Sequence, residues 1–270
     1  MSTLHILNGD ATLTGFAETG IAGDVMIWRE AFAEGPLMED LSAEEFWQQR
    51  SEWICAHYGE TPFGYTSKLT AEIQKLGGDY ANIVLWFEFD LFCQANLLGV
   101  LELIGSMPHL AESQIWLICP DSFPGMANFR GLGELNGSQL SSLYPERKLL
   151  TTDDLATAHL TWKFFAINNA GALLDWVQLN TNWGNLAHLR PALMAQIMKL
   201  TENVGGLNYI EQKLLDIYHL GARTPADIYR EFWRTEPIFG FGDSQLLTYL
   251  KKLQQKRSDL DIISGRNNPS

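Results

Sequence analysis

Cysteine is scarce in this 270-residue sequence, and so are metal-binding patterns. The three cysteines, Cys55, Cys93 and Cys119, are far apart in the chain. Their spacing excludes a disulfide framework and a CxxC metal knuckle. The six histidines show no ligand spacing, which argues against zinc. No GxSxG element occurs, which removes the usual signature of α/β-hydrolases.

Long apolar runs are also missing. No stretch of 18 apolar residues occurs, so we expect no membrane-spanning helix. The first ten residues lack the basic region and the apolar region of a secretory signal. These features predict a cytoplasmic protein with no membrane contact.

Cations are few in the first half of the chain. Residues 1–130 hold 18 Asp and Glu but only 5 Lys and Arg, whereas residues 131–270 hold 14 of each. Nucleic-acid binding relies on basic residues that replace counterions, so this charge argues against a nucleic-acid partner. The same field suits a divalent cation or a basic partner, although most acidic runs are simply solvated surface.

Short apolar runs alternate with helical patterns over the first half, which predicts an α/β fold. Four runs are typical of strands, at residues 4–7, 25–28, 83–87 and 115–119. The last two are continuous apolar stretches that suit parallel strands buried on both faces. The alternation favours a three-layer domain with a mainly parallel, Rossmann-like sheet.

Three helices are also predicted in the first half of the chain. Residues 42–45 form a capping-box pattern and predict a helix through about residue 57. A second helix is predicted over about residues 70–76, ending at a pair of glycines. Asp90 is placed to cap a third helix.

Helical spacing takes over from about residue 138. Helices are predicted near residues 151–165, 186–202, 210–220, 226–235 and 244–255. The change in pattern and the change in charge nearly coincide. We therefore expect an α/β domain over residues 1–135 and a mostly helical domain over residues 136–270.

Acidic side chains follow every predicted strand. They are Asp10 after the first, Glu30 and Glu34 after the second, Glu88 and Asp90 after the third, and Asp121 after the fourth. Loops at the carboxyl ends of parallel strands meet at one sheet edge, where ligands bind, so we expect these carboxylates to be neighbours. Like charges packed together require a cation or raise one another's pKa.

Two kinds of chemistry fit such a cluster. A hard divalent cation, first of all Mg²⁺, could take oxygen ligands from Asp10, Glu88 and Asp90. Alternatively, one protonated carboxyl and one carboxylate could act as acid and base. These three residues are therefore the candidate catalytic and metal-binding groups. In the structural alternative Asp10 and Asp90 only cap helices, which leaves Glu88 unexplained.

Seven further residues are predicted to bind or orient a ligand. Gly9 lets the backbone approach a ligand closely, and Thr12 near a helix start could bind an anion, although this glycine belongs to no Walker or Rossmann pattern. Arg29 could clamp a phosphate or carboxylate, or pair structurally with an acid. The full set is Asn8, Gly9, Thr12, Trp28, Arg29, Glu30 and Gln94.

Two other features favour structural roles. Cys93 is expected at a helix start, but no histidine accompanies it in sequence, so a structural thiol is favoured over a nucleophile. The helices predicted after residue 210 have a helix-turn-helix order, and the second carries Arg230 and Arg234. That region is balanced in charge, which favours a helical scaffold over a DNA reader.

Several of these segments resemble the bacterial domain-of-unknown-function family numbered 1835. They are Leu4-His5-Ile6-Leu7-Asn8-Gly9-Asp10, Trp28-Arg29-Glu30 with Glu34-Gly35-Pro36, Leu85-Trp86-Phe87-Glu88-Phe89-Asp90-Leu91-Phe92-Cys93-Gln94, and Gly131-Leu132-Gly133-Glu134-Leu135. Gly206-Leu207-Asn208-Tyr209-Ile210-Glu211 and Phe241-Gly242-Asp243 are similar to the helical domain that often follows it. The resemblance implies a bacterial origin and two associated domains, and it implies no activity.

The leading hypothesis is an enzyme that acts on a small phosphorylated or nucleotide-like molecule with a divalent cation. In this hypothesis Arg29 holds the anion, while Asn8 and Gln94 orient groups in the site. The competing hypothesis is a ligand-sensing or adaptor protein without chemistry, whose helical half contacts a protein or DNA. A third possibility is that the carboxylates are caps and the protein acts only by assembly.

Overall fold

The computed structural model describes residues 2–257 and residue 260. Its sheet has five strands in the order β2-β1-β3-β4-β5. The first four strands are parallel, and β5 is antiparallel to β4. The strands are β1 (Thr3–Asn8), β2 (Asp24–Trp28), β3 (Asn82–Trp86), β4 (Gln114–Ile118) and β5 (Lys148–Leu149).

Eleven α-helices lie within the described residues. They are α1 (Leu13–Ala17), α2 (Glu44–Tyr58), α3 (Pro62–Ile73), α4 (Leu91–Gly105), α5 (Gly137–Leu143), α6 (Thr152–Ala166), α7 (Ala170–Leu179), α8 (Leu189–Leu200), α9 (Tyr209–His219), α10 (Pro225–Thr235) and α11 (Asp243–Lys256). None of these helices has the length and apolar character that crossing a bilayer requires.

Side chains alternate along the strands and so supply two cores. One face of the sheet, with Ile6 and Leu85, packs in a large core with α4, α6 and α8. The other face, with Leu7 and Trp86, packs in a smaller core with Phe16 of α1 and Leu140 of α5. Helices therefore cover both faces of a mostly parallel sheet, which confirms the predicted α/β fold class.

Side chains of the neighbouring helical segment cover the outer edge of β2. The Ile27 N–H donates to Oε2 of Glu72 at 2.7 Å, and the Lys75 Nζ donates to the Val25 carbonyl at 2.8 Å. These bonds satisfy backbone groups that an edge strand would otherwise present to another chain.

The capping box predicted for one helix and the start predicted for another are wrong. The helix after residue 42 has Ala43 as its N-cap and no side-chain cap, because the Ser42 hydroxyl instead donates to Asp40 at 2.6 Å. The helix predicted at 70–76 begins at Pro62, with Thr61 as its cap. Proline at the first helical position fits there because it has no N–H to leave unsatisfied.

The second half is helical, as predicted, with three additions to the prediction. Thr151 caps α6 in a capping box, and Thr224 caps α10 before Pro225. The sequence did not predict α5, α7 or β5, and β5 pairs with β4 although it follows residue 135. The division into two domains between residues 135 and 136 stays a prediction. The last ten residues of the predicted helical domain, 261–270, lie outside the described residues.

Candidate active site

A cleft opens at the carboxyl ends of β1 and β3. The chain leaves β1 towards β2 on one side and leaves β3 towards β4 on the other. Such a change of direction produces a crevice in which open α/β sheets bind ligands. The cleft has a volume of about 430 Å³. Its lining consists of Asn8, Glu88, Asp90, Phe92, Cys93, Arg130, Trp233, Glu236, Pro237, Gly240 and Phe241.

Glu88 lies just beyond β3 and is almost fully buried. Its Oε1 accepts from the Leu132 N–H at 3.1 Å, and its Oε2 accepts from the Cys93 thiol at 3.1 Å. Burial, followed by the charge of Asp90, raises the pKa of Glu88 to about 7. Its hydrogen bonds act in the opposite direction, because they favour the ionised form.

Asp90 is the N-cap of α4, as predicted, and its Oδ1 accepts from the Cys93 N–H at 2.9 Å. Burial raises the pKa of Asp90 to about 6, although the helix N–H groups favour its charged form. Within the described residues, neither Asp90 nor Glu88 forms an ion pair with a basic side chain. The cleft therefore contains two buried carboxyls whose pKa values lie near neutrality, the range that acid–base catalysis uses.

Glycine allows the backbone to lie against both carboxyls. A Cβ on Gly131 would lie 2.9 Å from Cγ of Glu88. A Cβ on Gly240 would lie 1.9 Å from Oδ1 of Asp90. Gly240 belongs to the helical half, so this half covers the cleft at the carboxyl of Asp90.

Cys93 stands between the two carboxyls, at the start of α4. Burial and the two neighbouring acids raise the pKa of its thiol well above the ordinary value. A thiol in this environment stays protonated and is a poor nucleophile. This geometry favours the structural role predicted for Cys93, as a hydrogen-bond donor to Glu88.

Gln94 and Asn8 both support this arrangement. Gln94 is buried, and its Nε2 donates to the Glu88 carbonyl at 2.7 Å, so it holds the chain after β3 rather than facing the cleft. Asn8 ends β1 and lines the cleft, and its Nδ2 donates to Cys93 Sγ at 2.9 Å.

Asp10 and Arg29 lie outside the cleft, and the structure does not bring them to Glu88 and Asp90. Arg29 donates to Asp10 in a two-bond contact, with distances of 2.7 and 2.9 Å. This hydrogen-bonded pair lowers the pKa of Asp10. A third bond at 3.5 Å joins Arg29 to Glu72. The expected meeting of all four residues at one cleft is wrong, because Asp10 already satisfies the guanidinium.

Three other predicted residues, Gly9, Thr12 and Trp28, are also away from the cleft. Gly9, with φ of 89°, turns the chain after β1 and donates to the Trp28 carbonyl at 2.9 Å. Thr12 is buried in the short 3₁₀ turn Asp10–Thr12. Trp28 packs edge-on against Phe32 in the large core, and its Nε1 finds no partner among the described residues.

Glu30 is held by a buried ion pair rather than exposed to a ligand. Its Oε2 accepts from Arg50 at 2.6 Å, and both side chains are fully buried. The Tyr65 hydroxyl donates to its other carboxylate oxygen. The Arg50 guanidinium also donates to the carbonyls of Ala31 and Glu34. Every polar atom of the Glu30 carboxylate is thus used within the protein.

The cleft also contains residues that the sequence analysis missed. Arg130 is exposed and forms no side-chain bond within residues 2–257 and 260. Trp233 is held by a 2.7 Å bond from its Nε1 to the Phe241 carbonyl. Glu236 is paired with Lys213 at 2.7 Å. Arg130 lies 12 residues beyond the end of β4, so the pattern of acidic residues at strand ends could not have selected it. Trp233 has the spacing of a core residue.

Asp121 and the C-terminal arginines lie elsewhere. Asp121 lines a separate cavity at the end of β4. Arg230 and Arg234 are exposed on α10 and pair with Asp227 and Glu231 of the same helix. Each arginine thus has an acidic neighbour on the same helix, so α10 carries no net positive charge to attract phosphates.

The predicted magnesium ligands are only partly brought together. Glu88 and Asp90 share the cleft, while Asp10 is bound to Arg29. Across the described part of the chain, no group of three or more His, Cys, Asp or Glu has an arrangement that could hold a metal ion. The role of Mg²⁺ therefore stays a prediction.

Comparisons with known proteins were made at the level of families and of single proteins. No protein-family model matches the chain, and no curated protein matches it in sequence. A functional conclusion therefore depends on the geometry of the cleft.

Proposed function

We propose that this protein is an enzyme that binds a small molecule with an anionic group and a flat ring, and that it transfers a proton through Glu88 and Asp90. The observation that carries the proposal is the pair of buried carboxyls at the strand ends, with pKa values raised to about 7 and about 6. Groups that titrate in this range can both give and accept a proton near neutral pH.

The rest of the cleft supports the class of ligand. Arg130 is a guanidinium without an internal partner, and such a group binds phosphate or carboxylate through paired N–H bonds. Trp233 and Phe241 supply aromatic surface that suits a planar ring. A nucleotide-like molecule carries both an anionic group and a planar ring, and a phosphorylated molecule carries the anionic group. In this proposal Arg130 has the anion-binding role that was predicted for Arg29.

Isothermal titration with AMP, ribose 5-phosphate and inorganic phosphate tests the ligand class. We expect AMP to bind most tightly, because it meets both the guanidinium and the aromatic surface. Arg130→Met should weaken AMP binding by about tenfold or more, which corresponds to about 1.4 kcal/mol. Arg190→Met, at an exposed arginine of α8 outside the cleft, is the control and should bind as the wild type does. Absence of binding by all three probes would remove this ligand class.

The acid–base role can be measured without knowing the reaction. A bound phosphate raises the pKa of a neighbouring carboxyl, so AMP binding at pH 7 should take up protons from the buffer. Titrations in buffers of different ionisation enthalpy measure this uptake. We expect the uptake to fall in Glu88→Gln while AMP still binds. Equal uptake in both proteins would contradict the role of Glu88.

Three wider statements remain predictions that accompany the proposal. They are the resemblance to the domain-of-unknown-function family numbered 1835, the bacterial origin that it implies, and the cytoplasmic location. The resemblance is supported by the segments quoted above. One of these segments contains Asn8 and another contains Glu88, and both residues line the cleft.

A further inference from the structure

We propose that Asn96 is a positioning residue of the cleft, because it fixes the direction of a hydrogen-bond chain that turns the Cys93 thiol hydrogen towards Glu88. Asn96 lies on α4, is fully buried and does not line the cleft. The inference rests on the proposed function, since positioning matters only where Glu88 transfers a proton.

Two backbone groups fix the orientation of the Asn96 amide. The Phe32 N–H, which can only donate, meets Oδ1 of Asn96 at 3.0 Å. The Glu30 carbonyl, which can only accept, meets Nδ2 of Asn96 at 2.7 Å. An amide turned by 180° would place donor against donor and acceptor against acceptor. The second N–H of Asn96 Nδ2 therefore points in a fixed direction.

That second N–H determines how Asn8 is oriented. Nδ2 of Asn96 lies 2.9 Å from the side chain of Asn8, so the atom of Asn8 that faces it has to be the acceptor, Oδ1. The Nδ2 of Asn8 then faces the sulfur of Cys93 at 2.9 Å. The sulfur both donates and accepts, and the Glu88 carboxyl, which the Asn8 amide also contacts, can do the same when it holds its proton, so neither partner alone orients Asn8. Asn96 removes this freedom.

The direction of the last bond follows. Because Asn8 donates to the sulfur, the thiol hydrogen has to point to another acceptor. Oε2 of Glu88 lies 3.1 Å away, and the Asp90 carboxyl also accepts from the thiol. A hydrogen bond accepted by a group strengthens the bond that it donates. The chain from Phe32 through Asn96 and Asn8 therefore keeps the thiol as a donor to Glu88, and Oε1 of Glu88 keeps its bond from Leu132.

The S–H stretching band of Cys93 tests the proposal on the full chain without ligand. The band is assigned by its loss in Cys93→Ala. In Asn96→Leu, which has nearly the same size, Asn8 can turn and accept the thiol hydrogen. At about pH 9, where the Glu88 carboxyl is ionised, the Cys93 band should then move to higher frequency, because an amide oxygen is a weaker acceptor than a carboxylate. A folded Asn96→Leu protein with an unmoved Cys93 band would overturn the proposal.

A second variant covers the case in which Asn96→Leu does not fold. Asn8→Leu removes the donor to the sulfur at the partly exposed end of β1, and the Cys93 band should again rise. An unmoved band in this protein would also overturn the proposal. Gln196→Leu is the matched control, because Gln196 is a buried amide of α8 whose Nε2 donates to Asn168 at 3.3 Å, outside this hydrogen-bond chain. It should leave the Cys93 band in place.

The two proposals can fail separately. The spectrum reports the direction of the hydrogen-bond chain in the free protein, whereas AMP binding and proton uptake report the proposed function. A shifted Cys93 band with no binding of AMP, ribose 5-phosphate or phosphate would retain the role of Asn96 and remove the proposed ligand class.

Discussion

The backbone of Gly240 lies directly against the carboxyl group of Asp90. A Cβ at position 240 would be 1.9 Å from Oδ1 and 2.2 Å from Cγ of Asp90. Gly240 also has a left-handed backbone conformation, with φ of 63°. The contact joins a turn of the helical half to the N-cap of α4, and it explains how a carboxyl at a strand end becomes buried.

We expect Gly240→Ala to destabilise the protein strongly. Alanine in the left-handed conformation costs about 1 kcal/mol, and the overlap with Asp90 adds about 1–3 kcal/mol. Denaturant unfolding measures the sum. Gly59→Ala is a close control, because Gly59 has φ of 71° and ψ of 17°, against 63° and 18° for Gly240, with no atom within 4 Å of its Cβ position.

The difference between the two glycine variants isolates the contact with Asp90. Equal losses of stability would show that Gly240 matters only for its backbone conformation. The same variant should also open the cleft, so AMP binding is expected to weaken in Gly240→Ala and to stay unchanged in Gly59→Ala.

Some of this arrangement follows from sequence and some does not. Asp90 as a helix cap and Glu88 beside it follow from local patterns, because an apolar strand and a capped helix adjoin there. The approach of Gly240 depends on packing between segments 150 residues apart in sequence, for which local patterns carry no signal. The same holds for Trp233, since an aromatic at helical spacing looks alike in a core and at a cleft.

Glu88 should make the stability of the protein fall as the pH rises. Its pKa is about 7 when folded against an ordinary value of 4.5, so between these values the folded state holds a proton that the unfolded state has lost. Its stabilising effect is complete below about pH 4.5 and is lost as the pH passes 7. The expected change is about 3 kcal/mol. The difference in unfolding free energy between wild type and Glu88→Gln, measured from pH 4.5 to 8, gives this value.

His5 has to be separated from this effect. Burial lowers the pKa of His5, so below about pH 6.5 the unfolded state binds a proton that the folded state does not bind. The contribution of His5 therefore makes stability fall as the pH falls. Because both proteins contain His5, subtraction removes its contribution. Glu44→Gln, at an exposed carboxyl of α2, should show no such pH-dependent difference. A flat difference for Glu88→Gln would contradict the buried, neutral form of Glu88.

Arg50 should be essential for stability although it does not line the cleft. Arg50→Met leaves the carboxylate of Glu30 buried without its cation, which typically costs about 3–5 kcal/mol. Thermal and denaturant unfolding measure the loss. The double variant Glu30→Gln/Arg50→Met should recover part of it, because it removes the unpaired charge.

The control for Arg50 is an ion pair at the surface. Lys68 and Glu60 lie 2.9 Å apart with exposed side chains, so Lys68→Met should change stability little. An equally small loss in Arg50→Met would show that the Glu30 pair is solvated. Arg50 could have been found in the sequence, since it lies midway between Phe46 and Ile54 at four-residue spacing, on the buried stripe of α2.

Asp10→Asn should have little effect on stability and none on the cleft. The pair with Arg29 is partly exposed, with 63% of the Asp10 side chain accessible, so its loss should cost less than about 1 kcal/mol. AMP binding should match the wild type, because Asp10 does not line the cleft. Titration with Mg²⁺ completes the comparison, with Asp90→Asn as the second variant. If the heat of Mg²⁺ binding disappears in Asp10→Asn, this placement is contradicted and Asp10 is again a metal ligand. If the heat changes only in Asp90→Asn, the bound cation belongs to the cleft.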